Sequence, residues 1–168
     1  YIVLQILGAI AGVFAAHFMF EIDILQASTK VRAGSAQFGS EIIAAFGLVA
    51  AILGTIRFRP EAVPYAVGLY ITAAYWFTAS TSFANPAVTI ARSLTDTFSG
   101  IRPMDAPSFI IAQFIGAVLA VWLFKWLFSP KACIIARQRA FRLRKYRPIK
   151  LALRSSYYNK TERGKPWL

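Results

Sequence analysis

Thr81-Ser82-Phe83-Ala84-Asn85-Pro86-Ala87-Val88-Thr89 decides how the rest of this chain is read. In a soluble protein Asn-Pro ordinarily opens a turn. Here it separates two apolar segments, so it marks a helix that begins inside a hydrophobic layer. Asn85 suits the N-cap, where its carbonyl oxygen accepts from the first turn and leaves the amide N–H₂ to donate elsewhere. Pro86 suits the first helical position, where a missing N–H is harmless. A plain capped turn between packed helices is the alternative.

The surroundings decide between them. Of the 168 residues 57% are hydrophobic and 15% charged, and the mean hydropathy is +0.52, which is the composition of a chain that crosses a membrane several times. The formal charge is +12, and it is unevenly placed. Twelve of the nineteen Lys/Arg and one of the seven acidic residues lie in 129–168, so the apolar body is nearly neutral and the tail is basic. A lone cysteine, Cys133, excludes an intrachain disulfide framework and offers no metal cluster. Tyr1 opens directly on an apolar helix without a charged leader region, so the start reads as a truncation and not as a signal peptide.

Four spans are expected on either side of the motif. They are Ile2–Phe20, Phe38–Ile56, Ala62–Ala79 and Ser108–Phe128, the last with Trp122 and Trp126 as interfacial anchors. Glu21–Gln37 and Arg57–Glu61 read as polar connections, and Gly100 and Pro103 as stop signals in the loop 99–107. The segment Val88–Phe98 after the motif is predicted to be a half-helix. With the motif it covers roughly 18 Å, a little over half of a hydrocarbon core of about 30 Å. A re-entrant segment also puts Arg57 and Arg59 on the same face as the basic tail, and the positive-inside rule makes that face cytoplasmic.

Val3-Leu4-Gln5-Ile6-Leu7-Gly8-Ala9 and Ile111-Ala112-Gln113-Phe114-Ile115-Gly116-Ala117 share Gln, Gly and Ala at an offset of 108. Inverted repeats built around broken helices are a common plan in membrane transport. Projected back by that offset, a second motif is expected about twenty residues before Tyr1. Small residues at these positions also simply suit close helix packing.

Ser82-Phe83-Ala84-Asn85-Pro86-Ala87-Val88-Thr89, the paired Gln-x-x-Gly-Ala and a Glu early in the preceding span together resemble the aquaporin, or major intrinsic protein, family over residues 1–128. The resemblance implies an all-α transmembrane fold. In it residues 1–128 are the right-hand part of a six-helix bundle, with the last span of one repeat and all of the next, four spans and one re-entrant half-helix. Residues 129–168 would be a cytoplasmic tail. It further implies a passive channel, usually a homotetramer with one pore per subunit, embedded in lipid and using no cofactor. The motif's physics suits that role. Asn85, Pro86 and Ala87 bring a positive helix end to mid-membrane, where it opposes cations, protons included. The carbonyls of the extended run Thr81, Ser82, Phe83 and Ala84 need water or a permeant, which makes them candidates for the polar stripe of a pore.

One position departs from the family. Members commonly place Arg directly after this Asn-Pro-Ala, and this chain has Val88. Carried over by spacing, the other filter positions present are Ser82 and Ala73, so the constriction is expected to be wider and less polar than in a water-only channel. Val88 and residues 85–103 look similar to a bacterial subgroup associated with arsenic-resistance genes. That implies a bacterial inner membrane, and permeants that include neutral arsenite as well as glycerol-like polyols and water. Arg92, four residues after Val88, is either a displaced cation at the pore mouth or the partner of Asp96; the local pair is the first expectation. Glu41, too costly to bury bare, is expected from the resemblance to hold backbone groups of the re-entrant loop, with an interfacial carboxylate reaching water as the alternative. His17 is expected to be a packed or hydrogen-bonded core residue.

The tail mixes basic and apolar residues in 131–150, as in a segment lying on anionic lipid. No motif supports nucleic-acid binding. No nucleophile–base pair, metal-ligand cluster or phosphate loop points to an enzyme. Three readings therefore remain open: a channel for small neutral solutes, a truncated and non-conducting remnant, and a membrane anchor presenting a basic tail.

Overall fold

A computed structural model describes residues 1–129, all of them helix, turn or loop. The basic tail and Cys133 lie outside the described residues. Helix α1 spans Ile2–Met19, α2 Ser35–Phe58, α3 Val63–Phe77, α4 Pro86–Arg92 and α5 Ala106–Leu127, with a 3₁₀ turn at Pro60–Ala62 leading into α3. Tyr1–Phe124 form one packed unit. Of the second unit, Lys125–Leu168, the described part is the end of α5 with Phe128 and Ser129.

Helices α1, α2 and α5 are each long and apolar enough to cross a bilayer. At 18, 24 and 22 residues they reach about 27–36 Å at 1.5 Å per residue. Their apolar faces are largely uncovered by protein: Leu4, Leu7, Phe18, Ile43, Phe114 and Trp122 are all more than half exposed, as are Leu69 and Trp76 on α3. Outward apolar faces of this kind are what lipid covers, and the chain is an integral membrane protein.

Boundaries differ from the sequence expectation for local reasons. Helix α2 begins three residues early because Gly34 takes φ 98°, which lets the chain turn straight into Ser35. It ends at Phe58, since Pro60 disfavours a helical Arg59, which sits at φ −150° and ψ 77°. Helix α3 stops at Phe77. Thr78 is extended at ψ 137°, and its hydroxyl donates back to Ala74 O at 2.7 Å.

The half-helix is shorter than expected. It starts at Pro86, as the Asn85 cap requires, but ends at Arg92, not Phe98. Its C-terminal carbonyls are taken by other loops: Arg92 O accepts from Ile101 N at 3.2 Å and Ser93 O from Ser28 N at 3.0 Å. Continuing the helix would break both bonds. Seven residues rise about 10 Å, so α4 does not cross a membrane.

Small residues set the packing. Ala44, Ala45, Ala74, Ala112 and Ala120 are fully buried, and Phe83, Ile101 and Phe109 form an aromatic–aliphatic cluster with the two rings edge to face at 5.2 Å. Helix α1 packs on α4, and α2 packs on α3. At Gly116 on α5, a Cβ would lie 2.3 Å from Ile42 O and 2.9 Å from Phe46 N, so α2 and α5 meet backbone to backbone. The repeat-related Gly8 on α1 has nothing within 4 Å of such an atom.

That contrast is testable. Gly116→Ala is expected to destabilise the chain in detergent by about 1–3 kcal/mol, because two backbones must separate. Gly8→Ala should stay within about 0.5 kcal/mol. Denaturant unfolding followed by circular dichroism measures both, and equal effects would refute the backbone-contact account.

Candidate pore-lining site

A buried carboxylate organises the motif. Glu41, in the second turn of α2, is 0% exposed. Its Oε1 accepts from Ser80 Oγ at 2.5 Å and Phe83 N at 2.9 Å, and its Oε2 from Ala84 N at 2.9 Å and Gln113 Nε2 at 2.7 Å. Four donors match the acceptor capacity of a carboxylate's two oxygens. Glu41 does not reach water.

The backbone it holds is not the extended run that the sequence suggests. Thr81, Ser82 and Ala84 take φ of 63°, 46° and 51°, left-handed values that non-glycine residues avoid. Each costs on the order of 1–3 kcal/mol, so the conformation persists only because its surroundings impose it. Turned this way, successive N–H groups of Phe83 and Ala84 converge on one anion, as in a backbone nest. The carbonyls of residues 81–84 accept no hydrogen bond among the described residues. Four acceptors are thereby left free beside the half-helix N-terminus.

Asn85 caps α4. Its Oδ1 accepts from Ala87 N at 2.9 Å, its backbone oxygen accepts from Thr89 N and Thr89 Oγ1 at 3.0 Å, and Pro86 fills the first helical position. The Asn85 amide nitrogen has no protein partner among the described residues. Gln113, seen in the sequence only as part of a repeat, joins the site: its Nε2 also donates to Thr89 Oγ1 at 2.9 Å. A glutamine in an apolar span is a signal that could have found it, since a buried amide needs partners.

The sequence alone gives Arg32 no role. It lies in the loop between α1 and α2, which the sequence shows only as polar, yet it is 4% exposed. Its guanidinium donates to Gly100 O at 2.7 Å, Ser80 O at 2.9 Å and Phe98 O at 2.9 Å, and its backbone N–H donates to Asp105 Oδ2 at 2.9 Å. One side chain thus joins the loop before the motif to the loop after it. Gly100 has no space for a Cβ, which would fall 2.2 Å from Thr95 O.

Arg92 is not paired with Asp96. Asp96 instead accepts from Thr29, through N at 2.7 Å and Oγ1 at 2.9 Å. The Thr29 backbone N–H, and then its hydroxyl, hold the Asp96 carboxyl below its ordinary 3.8. This tie therefore acts above the ordinary carboxylate range and is lost as pH falls through the lowered value. Arg92 instead sits over the Phe83 ring, 4.4 Å from its centroid, while Arg32 lies 5.1 Å from the same ring.

Val88 and Arg92 line one cavity of about 700 Å³ between α1 and α4. Ser82 is buried in the Glu41-held loop, its Oγ without a partner, and Ala73 is exposed on α3; neither lines that cavity. The structure therefore brings together two of the sequence-proposed residues at this cavity and leaves the other two outside it. His17 is 2% exposed, with Nδ1 2.9 Å from Ile24 O, and lines the same cavity.

Residues 57–150 match the sequence profile of the family described as "Major intrinsic protein". A protein of Rhizobium meliloti (strain 1021), named Aquaglyceroporin AqpS, is 63% identical over 135 residues, which is 80% of this chain and 58% of that protein. The chain thus spans a little over half the length of this relative. No solved structure matches it.

Glu41→Gln keeps the shape but turns an N–H₂ toward a backbone N–H. A loss of about 2–4 kcal/mol is expected from the orphaned donors. Unfolding in micelles measures it; a change below about 0.5 kcal/mol would show that the carboxylate does not hold the loop.

Proposed function

The chain belongs to the major intrinsic protein family, and on that premise we propose that it forms one wall of a passive channel for small uncharged solutes. One observation carries this reading. The free carbonyls of residues 81–84 and the unpartnered Asn85 amide flank the N-terminus of the half-helix, and with that end inside the membrane they would offer acceptors and donors to a permeant where lipid cannot satisfy them. The positive end of the α4 dipole at Pro86–Ala87 opposes cations at the same point.

Solute class follows from the filter residues. Val88 supplies no hydrogen-bond donor where the family commonly has Arg, and Ala73 and Ser82 are small. A wider, less polar constriction favours glycerol-like polyols and neutral arsenite over water alone. The name of the Rhizobium relative supports the polyol part of this reading. Arg92, held on Phe83 and not neutralised by Asp96, acts as a cation displaced one helical turn toward the mouth. Glu41 sets the loop that carries the carbonyls. A homotetramer in the bacterial inner membrane, with the C-terminus cytoplasmic, is the assembly and placement that accompany this proposal.

Val88→Arg tests the filter. In cells that carry the gene, uptake of labelled glycerol and of arsenite should exceed that of a deletion strain. The substitution should reduce both by about tenfold, the worth of roughly 1.4 kcal/mol of barrier. Uptake equal to the deletion strain would remove the channel reading, and an unaffected variant would remove Val88 from the filter.

A further inference from the structure

Where α2 ends and α3 begins, the two helices leave an open groove of about 430 Å³. Its half-buried residues are small: Gly54, Thr55, Ala62 and Ala66. The Thr55 hydroxyl donates to Ala51 O at 2.7 Å, so its hydrogen is not available to an occupant. Phe58, Tyr65 and Leu69 line the same groove and are 74–75% exposed. Small residues between large ones make a trough shaped for one flexible hydrocarbon chain. In a bilayer such a chain gains no hydrophobic free energy by entering, because lipid tails are already out of water. The trough supplies packing, and the headgroup must distinguish one lipid from another.

One charge stands at this trough. Arg59 lines it and is exposed, and its side chain has no hydrogen bond or ion pair among the described residues. Its backbone is fixed: Arg59 N donates to Thr55 O at 2.7 Å, and Arg59 O accepts from Ala62 N at 3.0 Å. Arg59 is the residue at which α2 stops, so its charge sits at the end of a spanning helix, where hydrocarbon gives way to headgroups. Tyr65 adds a phenolic hydroxyl, also without a partner among the described residues. Glu61 does not line the groove, and with Arg57 the turn carries two cations against one carboxylate. A phosphate matches this pair, since a guanidinium binds its oxygens through two parallel N–H groups and a phenol donates a further hydrogen bond.

We propose that this trough seats one anionic phospholipid, its phosphate on Arg59 and Tyr65 and one acyl chain along Ala62, Ala66 and Leu69. A zwitterionic lipid brings the same phosphate but also a cation toward Arg57 and Arg59, so it is held less well. The seat is built on the first turns of α3, at the opposite end of that helix from the Asn-Pro-Ala motif. It does not require that the chain conduct.

The experiment is native mass spectrometry of the full chain released from micelles. Volatile salt at about 0.5 M gives a Debye length of roughly 4 Å, which screens binding by scattered surface charges. The chain is titrated with dioleoyl phosphatidylglycerol, with dioleoyl phosphatidylcholine, and with glycerol 3-phosphate, which has the phosphate but no tails. One retained phosphatidylglycerol per chain is the expected result, held about fivefold more strongly than phosphatidylcholine, with no glycerol 3-phosphate retained. Arg59→Gln should erase that fivefold preference, the worth of about 1 kcal/mol for one Lys or Arg at an anionic surface, and Arg59→Lys should keep most of it. Arg59 is exposed, so neither change disturbs the core. Ala66→Phe fills the trough without touching the charge and should weaken both lipids. Equal retention of the two lipids, or an unchanged preference in Arg59→Gln, overturns the seat. Retained glycerol 3-phosphate overturns it in favour of a plain anion site. A dimer that carries no lipid and is abolished by Ala66→Phe overturns it in favour of a contact between copies of the chain.

Discussion

The carboxylate of Glu41 is the constraint on which this structure depends. Three non-glycine residues in one four-residue stretch occupy left-handed backbone, a conformation worth several kcal/mol of strain in sum. It exists because two N–H groups, a hydroxyl and an amide converge on a buried anion that has no other partners. Bare burial of a carboxylate in a span is unfavourable, and a strained loop is unfavourable. Each offsets the other when they meet. The free carbonyls of residues 81–84 follow from that geometry, since a backbone whose N–H groups point at Glu41 turns its oxygens elsewhere.

Around this centre the structure uses three other devices. Gln113 extends the carboxylate network to Thr89, and so to Asn85 O, fastening the half-helix to α5. Arg32 closes the opposite side, gathering carbonyls of Ser80, Phe98 and Gly100 and sharing the Phe83 ring with Arg92. Small residues then let the helices approach closely enough for these short side chains to reach, most tightly where Gly116 meets Ile42 and Phe46. The half-helix needs all three because seven residues are too few to be stable alone.

In the channel we propose, the working groups are those left without protein partners. The loop carbonyls and the Asn85 amide are such groups, and they lie beside one short helix. In a soluble protein, water would meet them at random. Within a membrane only a permeant or water completes such hydrogen bonds, which is how the proposed pore wall would select among solutes.

The amino-acid sequence by itself determined the three helices long and apolar enough to cross the bilayer, the re-entrant character of the motif, the Asn85 cap with Pro86 behind it, and the family. These are local matters: apolar run length, a Pro at N1 and an Asn before it act within a few residues of the chain. The tertiary structure decided the rest. The Arg32 guanidinium binds partners 48 to 68 positions away and Thr29 binds Asp96 across 67, while the reach of Glu41 to the motif across 42 was expected only from the family resemblance. No spacing rule reports such pairs. For the same reason the left-handed turn at 81–84 could not be read from Thr, Ser and Ala, which prefer other conformations until a distant carboxylate overrules them.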